Sequence, residues 1–200
     1  LKGLHGPLSQ RISVKPKYAV AIETALGAAI QNIVTDNEND AKRAIAFLKE
    51  NRAGRATFLP ISAIRSRELR ETGLDDQYGF VSIAADLVGA DKQYTEIIRA
   101  QLARTVVAED MDAAIAMAKK YGYRFRIVTL DGQVINTGGS MTGGSRTQNA
   151  GILSRGNEIE KLTAEVKTIE TELAGMQSDY KLFTEDLAAE QKARLTYDNI

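Results

Sequence analysis

Any chemistry in this chain has very little material to work with. His5 is the only histidine, and there is no cysteine among the 200 residues. Disulfides, thiolate nucleophiles and zinc sites built from Cys and His are therefore unsupported. A lone histidine near the start of the sequence is expected to be a solvated side chain rather than a member of a catalytic set. Most Asp and Glu residues fall on predicted helix faces, where solvation is the plain reading. No Gly-x-Ser-x-Gly elbow is present. The segment GGSMTGGSRTQNAG, residues 138–151, is rich in glycine, and backbone amides in such a loop can cradle phosphate. It lacks Gly-Lys-Ser/Thr and the Gly-x-Gly-x-x-Gly turn between strand and helix, so nucleotide binding here is rejected. Two readings of the glycines stay open. One is a flexible linker. The other is that Gly132, Gly139, Gly143 and Gly144, having no Cβ, let a second polypeptide pack on their backbone. No catalytic residue, metal ligand or cofactor site is predicted.

The elements that must position these glycines are legible. Residues 17–31, KYAVAIETALGAAIQ, have apolar residues at helical spacing, with Pro16 just before them. Asn32 to Thr35 predicts a strand, Asp36-Asn37 an N-cap, and residues 40–51 a second amphipathic helix. A strand over 56–59 stops at Pro60, residues 61–79 are charged and irregular, and residues 80–83 predict another strand. The pattern then recurs, with helices over 94–103 and 110–121 and strands over 105–108 and 124–130. IVTD at 33–36 matches VVAE at 106–109, and FLPI at 58–61 sits where IVTL does at 127–130. Two related helix–strand–helix–strand units follow, an α+β fold with approximate internal two-fold symmetry. Asp131-Gly132 marks a turn, and residues 133–136 return as a hairpin strand. The expected divisions are 1–85 for the first subdomain, 86–156 for the second with its glycine segment, and 157–200 for a final helix. Asn157 is the candidate N-cap of that helix.

The final helix carries a heptad seam. Ile159, Leu162, Val166, Ile169, Leu173, Met176, Tyr180, Phe183 and Leu187 alternate three and four residues apart, as in a coiled coil. No upstream segment is heptad-like enough to pair with it, so the chain reads as a piece of something larger. Residues 151–200 hold 6 Lys and Arg against 10 Asp and Glu, leaving −4 there and +4 in the rest of a neutral chain. Glu158, Glu165, Glu172, Asp179 and Asp186 form one acidic flank of the seam. An antiparallel partner helix is therefore expected to be basic along its matching flank. The composition, 44% hydrophobic, suffices for a core. No apolar run approaches a membrane span, and no secretion leader opens the sequence. Nucleic-acid contact would need a local patch, because the whole chain supplies no strong field.

With these residues in view, the chain resembles the hinge domain of bacterial structural-maintenance-of-chromosomes (SMC) proteins. The resemblance rests on Gly132-x6-Gly139-x3-Gly143-Gly144, on VINTGGSMTGGS, and on KYAVAIETALGAAIQNIVTD, GRATFLP and RFRIVTLDG. It covers residues 3 to about 155 and then the heptad arm. It implies a homodimerisation module with no chemistry of its own, at the tip of a long antiparallel coiled coil. The second coil strand would come from the N-terminal side of the same protein. ATP and Mg would belong to head domains elsewhere in the full protein, where accessory subunits also bind. The resemblance places Gly132, Gly139, Gly143 and Gly144 at the dimer interface. It also implies DNA contact through basic residues, for which Lys119, Lys120, Arg124, Arg126, Arg146 and Arg155 are the candidates. Relatives carry a lysine cluster after the glycines, and this chain departs from that pattern. Arg65, Arg67 and Arg70 form a further basic run. The implied location is cytoplasmic and nucleoid-associated, with no membrane partner. Two rivals remain: the hinge of a related long-arm repair ATPase, and a small nucleotide-binding α/β domain.

Overall fold

A computed structural model describes residues 2–145 and 151–197. Its chain divides into a compact unit, residues 1–155, and a helical unit, residues 156–200.

The compact unit is built twice from one plan. In the first half, β1 (Leu4–Pro7) lies antiparallel to β3 (Ile33–Thr35), and β3 lies parallel to β4 (Phe58–Pro60). In the second, β5 (Phe80–Ile83) lies antiparallel to β7 (Thr105–Ala108), and β7 parallel to β8 (Arg126–Thr129). Parallel neighbours need a crossover, supplied by α2 (Glu38–Glu50) and α4 (Met111–Lys120). α1 (Ala19–Leu26) and α3 (Thr95–Leu102) precede the parallel pairs. The predicted repeat is therefore present, and even its helix ends match. Asn37 accepts from the amides of Asn39 and Asp40 at 3.0 and 3.1 Å, and Asp110 from that of Ala113 at 2.8 Å. At the far ends, the amide of Ala53 bonds the carbonyl of Leu48 and that of Tyr123 bonds Ala118. This is the closure of a helix ending in a left-handed residue. Gly122 takes that conformation at φ 64° in the second half, and Arg52 bears it at φ 51° in the first.

The two halves meet at a ribbon that sequence reading missed. β2 (Ile12–Val14) pairs antiparallel with β6 (Val88–Ala90), with Ser13 opposite Gly89. A Cβ on Gly89 would sit 2.7 Å from the Ser13 hydroxyl, which would have to turn aside. One core spans both halves, with Leu8, Ile22, Val34, Ile97, Leu102, Val107, Val128 and Leu153 buried together. A second lies within the later half around Val106, Met117, Phe125, Ile127 and Ile135. Val106 and Val107 face different cores, as do Ile127 and Val128. β7 is thus covered on both faces, which accounts for the burial of all four of its residues.

His5 contradicts the expectation of a solvated ring. Its side chain is 20% exposed. Nδ1 lies 2.9 Å from the Tyr94 hydroxyl and Nε2 lies 2.7 Å from Asp36 Oδ1, so the ring bridges the halves. The irregular segment between β4 and β5 is likewise tied down. Arg99 holds Glu68 through two bonds of 2.6 and 2.7 Å, and Tyr121 donates to the Thr72 carbonyl. The Arg99 guanidinium keeps the Glu68 carboxyl below the usual carboxylate range.

The last helix, α5 (Ile152–Tyr197), starts five residues before the expected cap at Asn157. In the helical unit all nine seam residues are exposed, from 44% at Leu187 to 71% at Tyr180. Lys161–Glu165 and Lys181–Glu185 pair one turn apart.

Candidate docking edges and basic surface

The four signature glycines divide into two kinds. Gly132 closes the turn after β8, where its amide bonds the Thr129 carbonyl and its φ is 87°. The same turn is locked by side chains. The Thr129 hydroxyl donates to Asp131 and accepts from the Gln133 amide at 2.8 Å. That donation lowers the Asp131 pKa, with Gln133 adding to it. A carboxylate with a depressed folded pKa contributes stability above its unfolded value of about 3.9, and the contribution is lost as pH falls through the folded value. The deficit of Asp131→Asn should therefore be present at neutral pH and close below about pH 4. It should be small, because Asp131 is exposed. Thermal melts between pH 2 and 7 read it directly.

Gly139 is also a turn residue. β9 (Val134–Ile135) and β10 (Met141–Thr142) form a hairpin, and Gly138 and Gly139 take φ of 86° and 95° at its tip. A Cβ on Gly139 would rest 3.4 Å from the Tyr123 ring. Gly143 and Gly144 lie just past β10 and are exposed. The Gln133 side chain lies along them. Its Oε1 accepts from the Gly144 amide at 3.0 Å, and its Nε2 donates to the Gly144 carbonyl at 3.3 Å. A Cβ on Gly143 would fall 2.0 Å from that Oε1.

β10 ends the sheet β10-β9-β8-β7-β5, and β4 ends the sheet β1-β3-β4. Among the described residues, β4 and β10 have no strand beyond them, as is also true of β1 and β5 at the opposite ends of the two sheets. Unpaired backbone at such an edge is a template for another chain. Met141 on β10 is 53% exposed. Ile45 and Phe47 are exposed on α2, which packs beside β4.

The described candidate basic residues have different surroundings. Lys119 and Lys120 are exposed at the end of α4, with Lys120 Nζ bonded to Gln77 Oε1 at 2.7 Å. Arg124 donates to the Tyr121 carbonyl and lies 4.0 Å from Glu71. Arg126 points inward, giving 2.8 and 3.1 Å bonds to the carbonyls of Ala25 and Thr24 at the end of α1. Burial lowers its pKa. Arg155 is exposed, and Arg146 lies outside the described residues. Arg104, which the sequence did not single out, joins Arg67 and Arg70 around a depression of about 610 Å³. Among the described residues, no group of three His, Cys, Asp or Glu could hold a metal, and no helix is long and apolar enough to cross a membrane.

Residues 1–118 match the sequence model of the SMC proteins Flexible Hinge Domain. The chain belongs to the SMC hinge family. The matched stretch ends within the last turn of α4 and stops short of the four signature glycines, but relatives align across them. The Bacillus subtilis chromosome partition protein Smc is 41% identical over 185 residues, 90% of this chain. The Synechococcus chromosome partition protein Smc is 38% identical over 178 residues. This SMC hinge chain spans only 16% and 15% of those two relatives. An asymmetric dimer of the Geobacillus stearothermophilus SMC hinge domain is 43% identical, with a TM-score of 0.76 over 86% of this chain and 70% of that one. The Pyrococcus furiosus SMC hinge domain is 30% identical, with a TM-score of 0.63 over 76% of this chain and 78% of that one.

Proposed function

We propose that this hinge joins two copies of a longer SMC protein and has no catalytic role itself. The observation that carries the reading is the end strand β10 with exposed Gly143 and Gly144 directly after it, and β4 is an open end of the other sheet that can receive it. A two-fold dimer can set β10 of each copy against β4 of the other and so satisfy both edges twice. The related hinge solved as a dimer supports it. Gly143 and Gly144 are the interface glycines in this reading, whereas Gly132 and Gly139 shape the strand that reaches the interface. The exposed seam of α5 takes the second coil strand of the same protein, with a basic flank facing Glu158, Glu165 and Glu172. The relatives' name extends the reading to chromosome partition. In the same reading ATP, Mg and accessory subunits belong to head domains elsewhere in the full protein, and the place of action is cytoplasmic and nucleoid-associated. DNA contact falls to Lys119, Lys120, Arg124, Arg146 and Arg155.

Sedimentation equilibrium of residues 1–155 tests the central point, because omitting the seam removes stray coiled-coil pairing. A dimer at micromolar concentration is expected. A monomer at hundreds of micromolar would overturn the reading.

A further inference from the structure

A helix of 46 residues starts here without a local cap. Arg155 bonds the Gly151 carbonyl at 3.1 Å, so Gly151 holds the cap position of α5 and has no side chain to offer. The missing acceptor comes from 130 residues earlier. Glu23 of α1 is 8% exposed, and its Oε1 accepts from the Leu153 amide at 2.5 Å. That is the amide a cap side chain ordinarily serves. Among the described residues, Glu23 has no ion pair; the partial positive charge of the helix start faces it instead. Gly151 is also the port through which the carboxylate arrives. A Cβ there would stand 1.6 Å from Glu23 Oε2 and 2.3 Å from its Cδ. Leu153 completes the socket, buried in the core that both halves share.

We infer that Glu23 is a positioning residue for the arm: it fixes the residue at which α5 begins, and Gly151 is glycine to admit it. This stands apart from the dimer reading, since no part of the socket lies on β4 or β10. The local signal for a helix start is Asn157, and the carboxylate overrides it. Removing the latch should let the start retreat toward Asn157.

The experiment is amide hydrogen exchange on the whole 200-residue chain. Glu23→Ala should raise exchange of the amides at 153–157 by about tenfold, leaving β7, β8 and the helix beyond 162 unchanged. Gly151→Ala should give the same local effect by evicting the carboxylate, and the double variant should add nothing further. Gly151→Ser should harm the native chain yet restore protection in the Glu23→Ala background, where its hydroxyl becomes a local cap in freed space. Additive effects, unchanged exchange at 153–157, failure of that rescue, or an equal rise in β7 and β8 would each overturn the inference. The last would show Glu23 to be ordinary core support.

Discussion

Replacing Gly143 and Gly144 together with alanine is expected to raise the dimer dissociation constant of the compact unit about 100-fold, equivalent to about 2.7 kcal/mol. Three local events produce it. The new Cβ at 143 would fall 2.0 Å from Gln133 Oε1, so that side chain must leave. Its two bonds to the Gly144 backbone go with it. Gly144 itself has φ 138°, a region side-chain-bearing residues rarely adopt. The end of the β10 edge then changes both shape and hydrogen-bonding direction, and a partner strand loses its template. Both positions are exposed, so the fold should lose little. Gly132→Ala and Gly139→Ala make the contrast. Their turns need positive φ within one chain, so they should lower thermal stability in the monomer as well. Sedimentation velocity alongside thermal melts separates the two classes. An unchanged dimer in the double variant would remove Gly143 and Gly144 from the interface.

Arg126→Ala should cost about 2–4 kcal/mol of folding stability, because two hydrogen bonds from a charged donor are lost. Its guanidinium serves the carbonyls of Thr24 and Ala25 in the last turn of α1. A cation there also complements the negative end of the helix. For a unit of this size the melting temperature should fall by roughly 4–16 °C. Arg126 Nε is buried without a partner among the described residues, a cost the native chain already carries. Arg126→Met, which keeps the apolar stem, should therefore recover part of the loss. DNA affinity measured under folding conditions should be unchanged in either variant, while Lys119→Glu with Lys120→Glu should weaken any binding at low salt. A stable Arg126→Ala chain with reduced DNA affinity would return Arg126 to the surface role.

The residues of this chain by themselves determine its repeat. IVTD and VVAE announced equivalent strands, and Asn37 announced the start of α2. Those features are written in periodicity, cap chemistry and turn residues, which act over a few neighbours. What escaped, besides β2, were short strands holding glycine or proline, LHGP and VGA, and the two-residue β10. Such segments have little strand propensity and become strands only when a partner distant in sequence supplies the hydrogen bonds. The side-chain roles followed the same division. His5 read as solvated until Tyr94 was placed beside it, Arg126 read as surface until the end of α1 was, and Asn157 read as a helix start until Glu23 was found at Gly151. In each case the deciding partner lies far along the chain, and only folding brings the two groups within hydrogen-bond reach.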